Sequence, residues 1–85
     1  MRFKELGRLI KSYREEANLA QKDIAQKLGY SNAQFISNWE RGLSCVPDKT
    51  VKKLCAVLGM PPTYFGRQLL RIRQREIEKA IGESI

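Results

Sequence analysis

Apolar side chains in this 85-residue chain recur at three- and four-residue spacing, and Asn18, Gly29, Gly42, Gly59 and Pro61-Pro62 cut that recurrence into short lengths. The spacing marks one face of an α-helix, and a Gly or Asn just past the last periodic residue is where a helix stops. No segment alternates apolar and polar side chains as a half-buried strand does. The pattern predicts an all-α chain of five helices. Leu6, Leu9, Ile10 and Tyr13 mark the first, from about Phe3 to Ala17. The second is Gln21–Leu28, with Ile24, Ala25 and Leu28 facing inward. The third is Asn32–Arg41, with Ser31 or Asn32 as its N-cap and Ile36 and Trp39 sharing a face. Pro47 opens the fourth, whose buried stripe is Val51, Leu54, Cys55 and Leu58. The fifth runs from about Tyr64 to Ile81, with Thr63 as N-cap. There Phe65, Leu69 and Ile72 form a row suited to closing the core. Leu70, Ile77 and Ile81 form a second row, which is either a docking face for a partner or the ordinary exposed apolar residues of a frayed tail.

Composition narrows what such a bundle does. Eighty-five residues make one domain with a modest core. Lys and Arg number 16 against 9 Asp and Glu, a net charge of +7, which suits an anionic partner such as nucleic acid or acidic lipid without choosing between them. The excess is spread over both halves and is densest at Arg67, Arg71, Arg73 and Arg75, a solvated face or a supplementary contact to phosphate or an acidic partner. No apolar run approaches the length of a membrane span, and the start of the chain lacks the apolar stretch of a signal peptide, so a cytoplasmic location is expected. Histidine is absent, and Cys45 and Cys55 stand ten apart with no further thiols. No metal site, cofactor or catalytic constellation is expected, and an enzyme is the least favoured class.

The informative stretch is Leu19 to Gly42. Two short helices crossing steeply need a small residue at their approach and a glycine at the turn; Ala25 and Gly29 stand at those places. Ile24, Leu28, Ile36 and Trp39 then make the shared core, leaving Asn32, Gln34, Ser37, Asn38 and Arg41 outward on the third helix. That face is rich in amides and free of acids. A helix fits the major groove of B-DNA, where Gln and Asn can bond adenine in bidentate fashion. Phe35 either packs beside Ile36 or touches a thymine methyl. Trp39 and Cys55 are expected in the core, Tyr13 and Tyr30 at its edge, and Cys45 shows no neighbour that would make it a redox sensor.

These residues resemble the Cro/phage-repressor type of helix-turn-helix domain, the XRE family. The marks are Leu6-Gly7 with Ile10 and Arg14, Leu19-Ala20-Gln21 opening the second helix, Ile24-Ala25, Gly29, and the run Ile36-Ser37-Asn38-Trp39-Glu40-Arg41-Gly42, followed by Pro47 and Val51 to Gly59. The resemblance spans roughly Leu6 to Phe65. It implies a compact five-helix, lambda-repressor-like domain over 1–66, with 67–85 extending the last helix as a possible dimerisation or partner surface. It implies a sequence-specific regulator that binds double-stranded DNA through the third helix. The base-contacting candidates are Asn32, Ala33, Gln34, Ser37 and Asn38. Gln21, Lys22, Arg41 and Ser44 are the phosphate-contacting candidates, and Arg14 and Glu40 would form a structural salt bridge. A single small domain gains affinity by pairing on an approximately palindromic operator, so a homodimer is expected. One departure matters: Gly29 to Gly42 is a step of 13, one residue more than is usual in the family. The extra residue falls around Tyr30 to Ala33 and leaves the first reading position open among Asn32, Ala33 and Gln34. Two rivals stand beside this reading: an antitoxin-like regulator whose main partner is another protein held by the fifth helix, and, more weakly, a basic amphipathic protein of membrane surfaces.

Overall fold

The computed structural model describes residues 3–84. Five helices follow in chain order: α1 (Lys4–Glu16), α2 (Gln21–Leu28), α3 (Gln34–Glu40), α4 (Asp48–Leu58) and α5 (Pro62–Ser84). Among the described residues there is no strand.

The first four helices end the same way, and the ending is written in the sequence. Asn18, Gly29, Gly42 and Gly59 have φ of 58°, 86°, 75° and 71°. In each case the N–H of the next residue reaches back to a carbonyl of the last turn: Leu19 to Arg14 at 3.1 Å, Tyr30 to Ala25 at 2.8 Å, Leu43 to Asn38 at 2.9 Å and Met60 to Cys55 at 2.9 Å. A left-handed residue turns the chain so that carbonyls left without a helical partner are satisfied. The motif also turns the following residue back toward the helix it leaves, which is how Met60, outside any helix, joins Cys55 in the core. At its other end α2 is closed by Asp23, whose carboxylate accepts the Ala20 N–H at 2.8 Å.

All five helices contribute to one core. Leu6 and Ile10 come from α1, Ile24 and Ala25 from α2, Ile36 and Trp39 from α3, Leu54, Cys55 and Leu58 from α4, and Phe65, Leu69 and Ile72 from α5. α1 packs on α3 and α4, α2 on α3 and α4, and α5 on α4. Val51, placed in the buried stripe from spacing, is half-buried, as are Leu9, Tyr13, Leu28 and Tyr30. The sequence pattern passed over Val46 and Met60, which sit in connections and have no periodic neighbours, yet both are buried.

Two helix starts differ from expectation. α3 begins at Gln34, so Asn32 and Ala33 precede it; Ala33 holds the N-cap position. Neither Ser31 nor Asn32 is the cap. Instead the Asn32 side-chain oxygen accepts the Gln34 N–H at 2.9 Å, a local turn that competes with helix and delays its start. α5 begins at Pro62, inside which Thr63 already lies, because proline suits a first helical position, and the Pro61 carbonyl accepts the Tyr64 and Phe65 N–H groups. At its far end α5 runs past Ile81 to Ser84, through Gly82.

The molecule measures 46 × 23 × 22 Å with a radius of gyration of 13.8 Å. A compact chain of this length has a radius near 12 Å. The excess follows from α5, whose 23 residues exceed what the core can cover. Beyond Ile72, Ile77 and Ile81 are exposed, as is Leu70 before it.

Candidate nucleic-acid interface

The outward face of α3 is only as well placed as its buried face is fixed. Three interactions fix it. The Arg14 guanidinium in α1 donates from Nε to Glu40 Oε2 at 2.6 Å and from a terminal nitrogen to Glu40 Oε1 at 3.0 Å, while its other terminal nitrogen donates to the Leu19 carbonyl at 2.8 Å. The two side chains are 12 % and 3 % exposed. Hydrogen bonding to Glu40 raises the Arg14 pKa, with burial opposing it in smaller measure. The salt bridge implied by the resemblance is therefore present and nearly buried, and breaking it would leave a charge away from water.

The second is a close approach that the sequence reading missed. A Cβ on Gly7 would meet the Glu40 and Trp39 carbonyl oxygens, the latter at 2.5 Å. α1 and α3 touch backbone to backbone there. The signal was available, since a glycine inside a helical pattern weakens the helix and calls for a packing reason. Gly42 is constrained on two grounds: its φ is positive, and a Cβ would lie 2.8 Å from Lys4 Cα. The third is a row of rings. Tyr30, in the connection before α3, meets Trp39 edge-on at 5.9 Å between centroids and Phe35 at 4.9 Å.

On this frame Gln34 and Arg41 are exposed, and Ser37 and Asn38 are half-buried. Gln34 Nε2 donates to Asn38 Oδ1 at 2.9 Å, one helical turn on. The pair is ordered yet not used up. Gln34 keeps its oxygen and one N–H, and Asn38 keeps both N–H groups, so acceptor and donor capacity remains for a base edge. Asn32 is exposed and Ala33 half-buried in the connection, outside the helix.

The residues implied for phosphate are set around α3. Gln21 opens α2, and Lys22 beside it is exposed. Arg41 follows α3, and Ser44 is half-buried in the loop beyond. One contact was not foreseen: Gln21 Nε2 donates to Glu40 Oε1 at 3.1 Å. Glu40 thus ties α1, α2 and α3 together, and one N–H of Gln21 is committed inside the protein. No buried side-chain polar atom among the described residues lacks a partner.

Among the described residues no group of His, Cys, Asp and Glu is arranged to hold a metal ion, and no helix is long and apolar enough to cross a membrane. Cys45 is half-buried and Cys55 is buried, which pushes the Cys55 pKa up. Comparison with curated proteins finds no match. A helix-turn-helix family model matches residues 10–65, about two thirds of the chain, and covers Arg14 and Glu40, the Gln34–Asn38 strip and the start of α5. With its five helices in lambda-repressor-like order and its Arg14–Glu40 brace, the chain belongs to the Cro/C1-type helix-turn-helix family, the XRE family of DNA-binding regulatory domains.

Proposed function

We propose that the protein is a sequence-specific regulator that reads double-stranded DNA by placing α3 in the major groove. The observation that carries this reading is the hydrogen bond between exposed Gln34 and half-buried Asn38, on a helix whose opposite face is locked by Arg14, Glu40 and Gly7. A reading group held in place loses less entropy when it meets its base. Gln34 and Asn38 read base edges together with Ser37, and Asn32 and Ala33 approach from the turn. Gln21, Lys22, Arg41 and Ser44 engage phosphates and set the register without reading sequence. The net charge of +7 supplies the attraction. A regulator of this kind acts in the compartment that holds the DNA, the cytoplasm of a bacterial cell.

The functional unit is a homodimer on an approximately palindromic operator, with residues 1–66 as the reading domain and 67–85 as the joining surface. The apolar row Leu70, Ile77 and Ile81, at 64 %, 60 % and 58 % exposure, supports this use of α5. The same row would serve a second reading, in which a different protein docks on α5 as a toxin does on its antitoxin. Selection of bound sequences from a random duplex pool, with affinity measured at several salt concentrations, tests the main reading. A palindromic consensus is the expected result; equal affinity for selected and random duplexes would end it. Against the selected site, Gln34→Ala and Asn38→Ala are each expected to lose on the order of 1–3 kcal/mol of discrimination at one position. Gln21→Ala weakens all sequences alike.

A further inference from the structure

Amides on the outer side of α3 are at home in water; Phe35 is not. It is the second residue of α3 and is 53 % exposed. With 3.6 residues per turn it stands about 100° from Gln34 and about 60° from Asn38 around the helix axis. By the same count it stands about 40° from Trp39 and about 100° from Ile36, so it sits on the border between the amide strip and the core face, and its exposure shows that the core does not enclose it. The sequence left two places for this ring, beside Ile36 or on a base, and the core does not take it.

The ring is nevertheless held. Tyr30 lies against it at 4.9 Å between centroids with a 31° tilt, and Tyr30 is anchored on the buried Trp39, edge to face at 69°. A buried ring thus fixes a half-buried one, which fixes an exposed one beside the reading face. Apolar carbon kept in water at a rigid position gains free energy when another apolar group covers it. The major-groove edges of the four bases offer one such group, the 5-methyl of thymine. The N-terminal end of a recognition helix, where Phe35 sits, is the part that reaches base edges.

We propose that Phe35 is a specificity residue whose ring packs on a thymine 5-methyl, held there by Tyr30. This rests on the reading that α3 enters the major groove, and it adds a contact of a different chemistry. Gln34 and Asn38 discriminate by hydrogen bonding, and Phe35 by the presence of a methyl group. Covering one methyl group corresponds to about fourfold in affinity.

Deoxyuridine differs from thymidine only by that methyl, so it isolates the contact. The experiment uses the full chain and the selected duplex, with each thymine replaced in turn by deoxyuridine. Expected is a loss of about fourfold at one thymine per half-site, absent in Phe35→Ala and partly kept in Phe35→Leu. The thermal midpoint of Phe35→Ala shows that the fold is retained. If no thymine shows the loss while Gln34→Ala still relaxes base preference, the Phe35 contact is wrong and the groove reading stands. If Phe35→Ala keeps the full methyl preference, another group supplies it and the proposal falls. If wild type prefers no sequence at all, the groove reading falls and takes this contact with it.

Discussion

Among the described residues, two ion pairs tie helices to α1, and they show how differently the two ends of this molecule are held. Arg14 and Glu40 meet through two N–H groups at 2.6 and 3.0 Å, nearly out of water, where α1 crosses α3. Arg75 and Glu5 meet at 3.4 Å with side chains 56 % and 69 % exposed, where the outer part of α5 passes α1. The first pair is held in place by neighbours on every side: the Leu19 carbonyl, the Gln21 amide and the Gly7 approach. The second has solvent around it and pays side-chain entropy for a screened attraction. The same charges thus fix the orientation of a helix in one place and decorate a surface in the other. The frame from α1 to α4 behaves as a mount for α3; the outer part of α5 is an arm with an uncovered apolar row.

The largest test of this contrast is Arg14→Ala. It leaves Glu40 without its cation, and a loss of about 3–5 kcal/mol in urea unfolding is expected. A loss below about 1 kcal/mol would put this bridge in the same class as the surface pair. Glycines extend the contrast to backbone. Gly7→Ala should destabilise by about 1–3 kcal/mol, because the added carbon meets α3 backbone. Gly66→Ala, in α5 with nothing within 4 Å of the new carbon, should stabilise by up to about 1 kcal/mol through helix propensity. The same sign for both in thermal melts would contradict the crossing described at Gly7. Arg75→Ala should change stability by less than about 1 kcal/mol and by nothing measurable in 1 M salt.

The smallest effect concerns the core beneath α4. Cys55 is fully buried on α4, and burial raises its thiol pKa. Iodoacetamide should therefore modify half-buried Cys45 well before Cys55 under native conditions. Equal rates would mean that the core around Cys55 opens readily under native conditions.

Where helices end was legible before any fold was known. Asn18, Gly29, Gly42 and Gly59 each carry a left-handed residue, as their positions after a periodic run imply. α2 runs from Gln21 to Leu28, as spacing alone indicates, and Phe65, Leu69 and Ile72 line the core as one row. Helix starts were harder. Asn32 has side-chain chemistry that caps a helix or makes a turn, and choosing between them depends on the chain around it.

What belongs to the chain by itself is therefore its local grammar: period, stops and the amide strip. Those depend on interactions within about one helical turn, which neighbouring residues specify directly. Tertiary structure decided that Gly7 marks a crossing, that Glu40 also takes a bond from Gln21, and that Phe35 rests on Tyr30 in the open. The Glu40 partners stand 19 and 26 residues away, and only the packing of whole helices sets the angle at which such groups meet.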